Sequence, residues 1–459
     1  METIEALVAR QRAFFETGGT KGLQTRRDAL LLLDGALRRR EADIGAALQA
    51  DLGKCGGESY MTELGLVLEE LSYQRRHLDE FARPRRVKTP LAQFPSHSFV
   101  SPEPYGVTLV MSPWNYPLLL SLEPLISAVA AGNTVVLKPS ADSPRTAALL
   151  GELIAQVFRP EYVAVVTGGR AENTTLLQQR FDLIFFTGGG EVGRTVLTSA
   201  ARYLTPVILE LGGKSPCIVD ETADLRVAAA RIVFGKCVNA GQTCVAPDYL
   251  LVQESVREPL VAELRRCLAA FYGEQPLQNP NWGRIVNAKH FHRLLGLLDG
   301  ATVLYGGKSN EETLQIEPTL LGDVTADSPV MQQEIFGPLL PILTYETAKE
   351  AADFVLAREK PLALYLFTKS RAAEDYFLGR CSFGGGCVND TLVQLASSEL
   401  PFGGVGGSGM GAYHGRTGFE AFTHLRGIVR KGNWLDLPMR YPPYTKGKER
   451  LLHLFLGRR

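Results

Sequence analysis

The chain lacks a cysteine framework. Its seven cysteines (Cys55, Cys217, Cys237, Cys244, Cys267, Cys381 and Cys387) are odd in number, scattered, and never in a CxxC pair. That excludes a disulfide scaffold and a cysteine zinc site, so no metal is expected, and it fits a reduced, cytoplasmic chain. Neither sign of charge is in excess: Lys+Arg and Asp+Glu both total 49. Overall charge therefore points neither to nucleic acid nor to an anionic membrane surface. The short clusters Arg38-Arg39-Arg40 and Arg83-Pro84-Arg85-Arg86 read as solvated faces. No apolar run approaches the roughly 18 residues that a spanning helix needs. The last one, Leu451 to Leu456, is far too short, so no transmembrane segment is expected, and an interfacial or dimer-contacting helix end stays open as a reading of it. Met1 to Arg12 is polar and has no apolar signal core. There is no internal repeat and no low-complexity linker.

What is present is length and alternation. A chain of 459 residues has room for two to three domains. Up to residue 82 it reads as helical, with Leu30, Leu31, Leu33, Leu37, Ile44 and Leu48 near helical spacing. Pro84 stops this pattern. Val87 to Val100 is β-branched, aromatic and proline-interrupted, as an extended arm or edge hairpin would be. From Tyr105, short apolar runs alternate with helical patterns: Val107–Met111, Thr134–Leu137, Val163–Val166, Leu183–Phe186 and Val207–Leu211. Continuous apolar strands separated by helices indicate a parallel α/β sheet covered on both faces. The pattern resumes after Cys244 as a second α/β unit. The tail is Gly-rich from Phe402 to Gly411 and ends in the alternating strand Arg426–Arg430.

Five stretches carry possible chemistry. Asn239-Ala240-Gly241-Gln242-Thr243-Cys244 puts a cysteine on a turn after a helix-like segment. A thiolate there is a strong nucleophile, whereas most free cysteines are small buried hydrophobes, and the stretch alone leaves both readings open. Gly188-Gly189-Gly190-Glu191-Val192-Gly193 follows a strand and opens a helix. This is the context in which glycines admit a phosphate to a helix N-terminus, although a structural turn has the same composition. Glu210, near the spacing for a ribose-binding acid, also stands beside flexible glycines at a strand end, where a mobile general base belongs. Lys138 ends a strand and either reaches a ribose or phosphate or is simply solvated. Asn115, in Pro113-Trp114-Asn115-Tyr116-Pro117, offers either amide donors to an oxyanion or hydrogen bonds to its own turn.

Together these stretches resemble the aldehyde dehydrogenase superfamily. Pro113–Pro117, Leu137–Ser140, Phe186-Thr187-Gly188, Glu210–Pro216, Gly241–Cys244, Glu334–Pro338 and Pro401–Gly404 match in family order. Gly241–Tyr249, Gly409–Gly415 and Arg440–Tyr444 resemble the short, typically dimeric class 3 branch of fatty, aromatic and coniferyl-type aldehyde dehydrogenases. The resemblance implies an α/β fold with a Rossmann-like parallel-sheet NAD(P)-binding domain (1–82 and 105–209) and a second α/β catalytic domain (210–400). It also implies a small β oligomerisation arm and tail (83–104 and 420–459) and a Gly-rich return segment (401–419). Cys244 would attack the aldehyde, and Asn115 with the Cys244 N–H would hold the oxyanion. Hydride would pass to NAD or NADP, leaving a thioester that a water activated by Glu210 hydrolyses. Lys138, Thr187, Gly188, Gly193, Glu334 and Phe336 would contact the cofactor. Tyr60, Trp114, Tyr116 and Phe402, with Met61, would line an apolar substrate funnel for medium- or long-chain aliphatic or aromatic aldehydes. A homodimer is implied.

Two departures from the family pattern matter. Ala141 stands where many members have a Glu that repels a 2′-phosphate, so use of both cofactors is expected. Gly189 and Gly190 replace polar residues of the phosphate turn, predicting a looser turn. Three other readings remain open. A CoA-acylating enzyme is disfavoured by Glu210; a redox-inactive thiol hydrolase would not need Lys138 or Glu334. A retired enzyme kept as a binding protein would have lost catalytic positions that are present here.

Overall fold

The computed structural model describes residues 2–456. The α/β reading holds: two largely parallel sheets are flanked by helices. The first sheet runs, from one edge to the other, Gly409–Met410, Val207–Leu211, Leu183–Gly188, Val107–Met111, Thr134–Lys138, Val163–Val165. Every pair is parallel except Gly409–Met410, which lies antiparallel on Val207–Leu211 with Gly409 opposite Glu210. Val107–Met111 and Thr134–Lys138 are buried throughout, which explains their unbroken apolar character. Chain order reverses between Val107–Met111 and Leu183–Gly188. In open α/β sheets, ligands bind outside the carboxyl ends of strands at such a point.

The second sheet has seven strands in the order Thr302–Tyr305, Thr319–Gly322, Leu339–Tyr345, Tyr249–Gln253, Pro216–Val219, Ala363–Phe367, Gly385–Val388. Only Thr302–Tyr305 is antiparallel to its neighbour. The helix Leu119–Ala131 is buried along its whole length and carries Pro124 inside it. It is apolar on nearly every side, as a helix enclosed by protein must be.

The arm expected over 87–100 is a hairpin of Arg85–Val87 and Ser96–Pro104. The strand Thr423–Lys431 pairs antiparallel with Ser96–Pro104 over nine positions. Arm and tail thus pair within the chain, and the outer edge of Thr423–Lys431 carries no strand among the described residues. The glycine run also differs from expectation. The strand extends to Gly188, two residues past the expected Phe186, and the helix begins at Gly190. The tail helix is Lys446–Phe455; residues 457–459 of the expected tail lie outside the described residues.

Candidate active site

At the switch point lies a cavity of about 500 Å³ lined by Pro113, Trp114, Asn115, Thr187, Gly188, Gly189, Gly190, Glu210, Cys244, Arg293, Glu334 and Phe336, among others. The helix Gly190–Ala201 presents its N-terminus here, and a Cβ on Gly189 would meet nothing within 4 Å. Free N–H groups, open space and the helix dipole fit a dinucleotide's phosphates. Gly193 does something else. A Cβ there would lie 2.8 Å from the Leu211 side chain, so this glycine lets the helix pack on its strand. Lys138 is not on the lining either. It is buried, and its Nζ donates to the carbonyls of Pro139 and Gly168, each at 2.8 Å.

Cys244 follows an unusual turn. Asn239, Ala240 and Gly241 all have positive φ. Ala240 in that region costs about 1–2 kcal/mol, so the surroundings must impose the conformation. They do so with a set of hydrogen bonds through Asn239 and Gln242. The Asn239 N–H donates to Glu58 (2.7 Å), and its side-chain amide donates to the Asn115 carbonyl (2.7 Å). Gln242 Nε2 donates to the carbonyls of Asn239 and Arg284, and its Oε1 accepts from the Val286 N–H, all at 3.0 Å. Gly241 is required: its φ is +76°, and a Cβ would lie 2.2 Å from the Gly337 carbonyl oxygen. Asn115 Nδ2 donates to the Gln242 carbonyl at 3.0 Å, which fixes the amide next to Cys244. Under the Asn115 carbonyl lies a buried ion pair, Lys54 with Glu63, whose other oxygen accepts from the N–H groups of Leu118 and Leu119.

Glu210, on the strand Val207–Leu211, is buried, and neither carboxylate oxygen has a hydrogen-bond partner. Burial pushes its pKa up to about 7; the Cys244 thiol and the Thr187 hydroxyl are near enough to moderate the rise without closing a hydrogen bond. Cys244 is pushed well above the ordinary thiol value by burial and then by the charge of Glu210. A neutral thiol beside a carboxyl poised near neutrality is an acid–base couple. Glu334 rises to about 8, first through burial and then through Asp248. Its carboxylate presses against Gly212, where a Cβ would lie 2.1 Å from it, and one oxygen is unpartnered. An unsatisfied buried acceptor on this cavity wall fits a ribose hydroxyl.

A second cavity, about 210 Å³, opens on the other side of Cys244. Its walls include Met61, Leu119, Leu120, Tyr116, Phe234, Leu392, Leu395 and Phe402. Tyr116 and Phe402 are therefore where the apolar funnel was expected, and the Tyr116 hydroxyl is bonded to Thr243 at 2.6 Å. Two expected members are elsewhere. Tyr60 is absent from the lining: it opens the π-helical turn Tyr60–Leu64, and its neighbours Met61 and Thr62 line the cavity instead. Trp114 lines the first cavity, edge-on to Phe336 at 5.3 Å and tilted on His290 at 5.3 Å.

Sequence reasoning missed Arg293 and His290 on the first cavity, and Thr243, Tyr413, His414 and Glu123 on the second. Arg293 holds the Glu334 loop by donating to the carbonyls of Glu334 (3.2 Å) and Ile335 (2.6 Å). Glu123 had a legible signal: it is the lone acid in the apolar helix Leu119–Ala131. A buried charge must find a partner, and His414 supplies it at 3.1 Å.

A half-buried, activatable thiol between a dinucleotide-type crevice and an apolar cavity defines an enzyme of carbonyl chemistry on an α/β scaffold. The aldehyde dehydrogenase family model matches residues 1–428, and the chain belongs to that family. It is 48% identical over 457 residues to 4,4′-diaponeurosporen-aldehyde dehydrogenase of Staphylococcus aureus, covering 99% of each chain. It is 44% identical over 446 residues to the dimeric NADP-preferring aldehyde dehydrogenase of Canis lupus familiaris, covering 96% of this chain and 98% of the relative. The structure of Staphylococcus aureus AldH in a substrate-bound state superposes with a TM-score of 0.97 at 47% identity, covering all of both chains. The protein is thus an oxidoreductase, an aldehyde dehydrogenase of the class 3 type.

Proposed function

We propose that the chain oxidises medium- or long-chain aliphatic or aromatic aldehydes to free carboxylic acids with NAD or NADP, through a thioester on Cys244. One observation carries this reading: Cys244 lines both the dinucleotide-type cavity and the apolar one. An aldehyde entering from the apolar side meets the thiol as Glu210 takes its proton. The Asn115 amide, anchored by the Gln242 carbonyl, turns a donor toward the oxygen that becomes negative. The first cavity would hold the nicotinamide, which would supply the hydride acceptor beside Cys244. Once Glu210 has released the thiol proton to solvent, its carboxylate deprotonates the water that cleaves the thioester, and the Cys244 thiolate leaves. Glu334 and Phe336, steadied by Arg293, hold the nicotinamide end, and Thr187 with the glycines Gly188 to Gly190 holds the phosphates. Lys138 must leave its two carbonyls to reach a ribose. A homodimer through the open edge of Thr423–Lys431 agrees with the dimeric canine relative, and a cytoplasmic setting agrees with the scattered free cysteines.

The test is an aldehyde panel graded by chain length and aromaticity, followed at the NADH absorbance with each cofactor. Activity should rise with apolar size, and the product should be free acid. Acyl-CoA formed on adding CoA would instead favour the acylating reading, and acid without absorbance growth would favour a thiol hydrolase. Ala141 supplies a second test. By the family resemblance, a carboxylate introduced with Ala141→Glu would repel a 2′-phosphate. It should lower kcat/KM with NADP by about tenfold or more and leave NAD within about twofold. Equal effects on the two cofactors would contradict that repulsion.

A further inference from the structure

The cavity on the apolar side of Cys244 is not apolar throughout, and its polar side chains fall into two groups. Thr62, Tyr116 and Thr243 are already engaged. The Thr62 hydroxyl donates to the Glu58 carbonyl at 2.8 Å, and the hydroxyls of Tyr116 and Thr243 bond each other at 2.6 Å. Glu123 and Tyr413 keep capacity open. The Tyr413 hydroxyl is buried and has no hydrogen-bond partner among the described residues. Glu123 is 5% exposed; its Oε2 meets His414 Nε2 at 3.1 Å, and its Oε1 bonds nothing among the described residues. Glu70, behind this pair and off the cavity wall, shows the contrast: its oxygens accept from the Gln74 amide at 2.8 Å and the Gly415 N–H at 3.1 Å. His414 is held at φ +83°, a region a side-chain-bearing residue seldom adopts, with its ring stacked on Phe402 at 5.3 Å. Burial pulls the His414 pKa down, but the charges of Glu123 and then Glu70 raise it overall, which favours the imidazolium.

We infer that Glu123, braced by His414, accepts a hydrogen bond from an alcohol hydroxyl carried by the aldehyde, and that the Tyr413 hydroxyl donates to that same group. The inference rests on the aldehyde-oxidising reading above and narrows its substrate class. A buried acceptor and a buried donor without partners on one cavity wall are what such a group satisfies. The helix Leu119–Ala131 sets the distance. Leu120 borders both cavities and so stands beside the thiol, whereas Glu123 borders the apolar one alone, three residues or about 4.5 Å further along the axis. That offset suits a hydroxyl placed across a benzene ring from the carbonyl. An ammonium group fits less well. His414 already neutralises Glu123, and the neighbouring walls (Leu119, Leu392, Leu395, Phe402) offer nothing to offset the water an ammonium would lose. A carboxylate on the substrate would meet Glu123 and Glu210 as like charges.

The test compares 4-(hydroxymethyl)benzaldehyde with 4-ethylbenzaldehyde, which match in shape and differ by one hydroxyl, through the ratio of their kcat/KM values. The parent should favour the hydroxylated aldehyde by about tenfold or more, the scale of a hydrogen bond to a charged group. Glu123→Met, which keeps the side-chain length and removes the acceptor, should bring the ratio to about one or below. Glu123→Gln keeps the shape and a neutral acceptor, and should leave a ratio of about three. Tyr413→Phe should lower the parent ratio by about threefold. A general loss of activity cancels in each ratio. A parent ratio near one overturns the inference and leaves aldehyde oxidation standing, whereas a parent that oxidises neither aldehyde takes both readings down. Equal losses on the two aldehydes in Glu123→Met also overturn it, since Glu123 would then serve only to tie its helix to His414. Should Glu123→Met not fold, a parental ratio in both Glu123→Gln and Tyr413→Phe overturns it just as well.

Discussion

Cys244→Ala is expected to lower aldehyde oxidation by about five orders of magnitude, the scale on which removal of a covalent nucleophile acts, and to leave cofactor binding intact. The second half follows from the local structure. The bonds that hold the turn run through Asn115, Asn239, Gln242 and Glu58, and none uses the thiol. The side chain is half-buried and small, so its loss should change stability by about 1 kcal/mol or less. Trp114 lines the cofactor cavity, and quenching of its fluorescence by NADH gives the binding readout. Cys237, seven positions earlier, is the internal control. It ends the helix Leu225–Cys237, is fully buried with its pKa pushed up to about 12 by burial, and borders neither cavity. Cys237→Ala should retain the parent rate. A Cys244→Ala enzyme with more than about a thousandth of parental activity would remove the thiol from the mechanism.

The contrast between these two cysteines shows what the sequence could and could not convey. Strands such as Val107–Met111 and Val207–Leu211 were legible because both their faces are covered, which makes them continuous apolar runs. Pro216–Val219 was not, since it is four residues long and sits inside a glycine–proline stretch that reads as a turn. The helix Arg170–Leu177 was missed because it buries only Leu176 and so has no apolar stripe. At the site, motif order located Cys244, Glu210, Asn115 and Glu334 on one cavity. It could not assign sides. Trp114 and Tyr116 are two residues apart and face different cavities, and in the π-helical turn Tyr60–Leu64 it is Met61 and Thr62, not Tyr60, that line the apolar one. Gly193 fits the phosphate fingerprint by spacing but serves helix packing, a distinction visible only once Leu211 lies beneath it. His414 pairs with Glu123 across 291 positions, a separation no local pattern spans.

Glu210→Gln should produce one rapid turnover and then stall. The amide removes the negative charge that helps to raise the Cys244 pKa, so the thiol can lose its proton to water and be acylated, whereas deacylation has lost the base that activates its water. A burst of NADH near one equivalent per active site, followed by a rate about a thousandfold below the parent, is the expected trace. Rapid multiple turnover would exclude Glu210 as the base. In the parent, kcat should climb with pH through about 7, because the working form of Glu210 is the carboxylate and burial holds its pKa there. The same shift bears on stability. Between the ordinary 4.5 and about 7 the folded enzyme keeps a proton that the unfolded chain has released. Stability therefore falls as pH rises through that window, and the full cost, about 3 kcal/mol, is reached above it. Glutamine copies the neutral form and escapes this cost. Glu210→Gln should accordingly unfold at higher denaturant than the parent above pH 7 and at a similar concentration near pH 4. An inactive variant that is more stable than the enzyme it came from is what a base held in a desolvated site predicts, and a variant equally stable at both pH values would mean that water reaches Glu210 in the free enzyme.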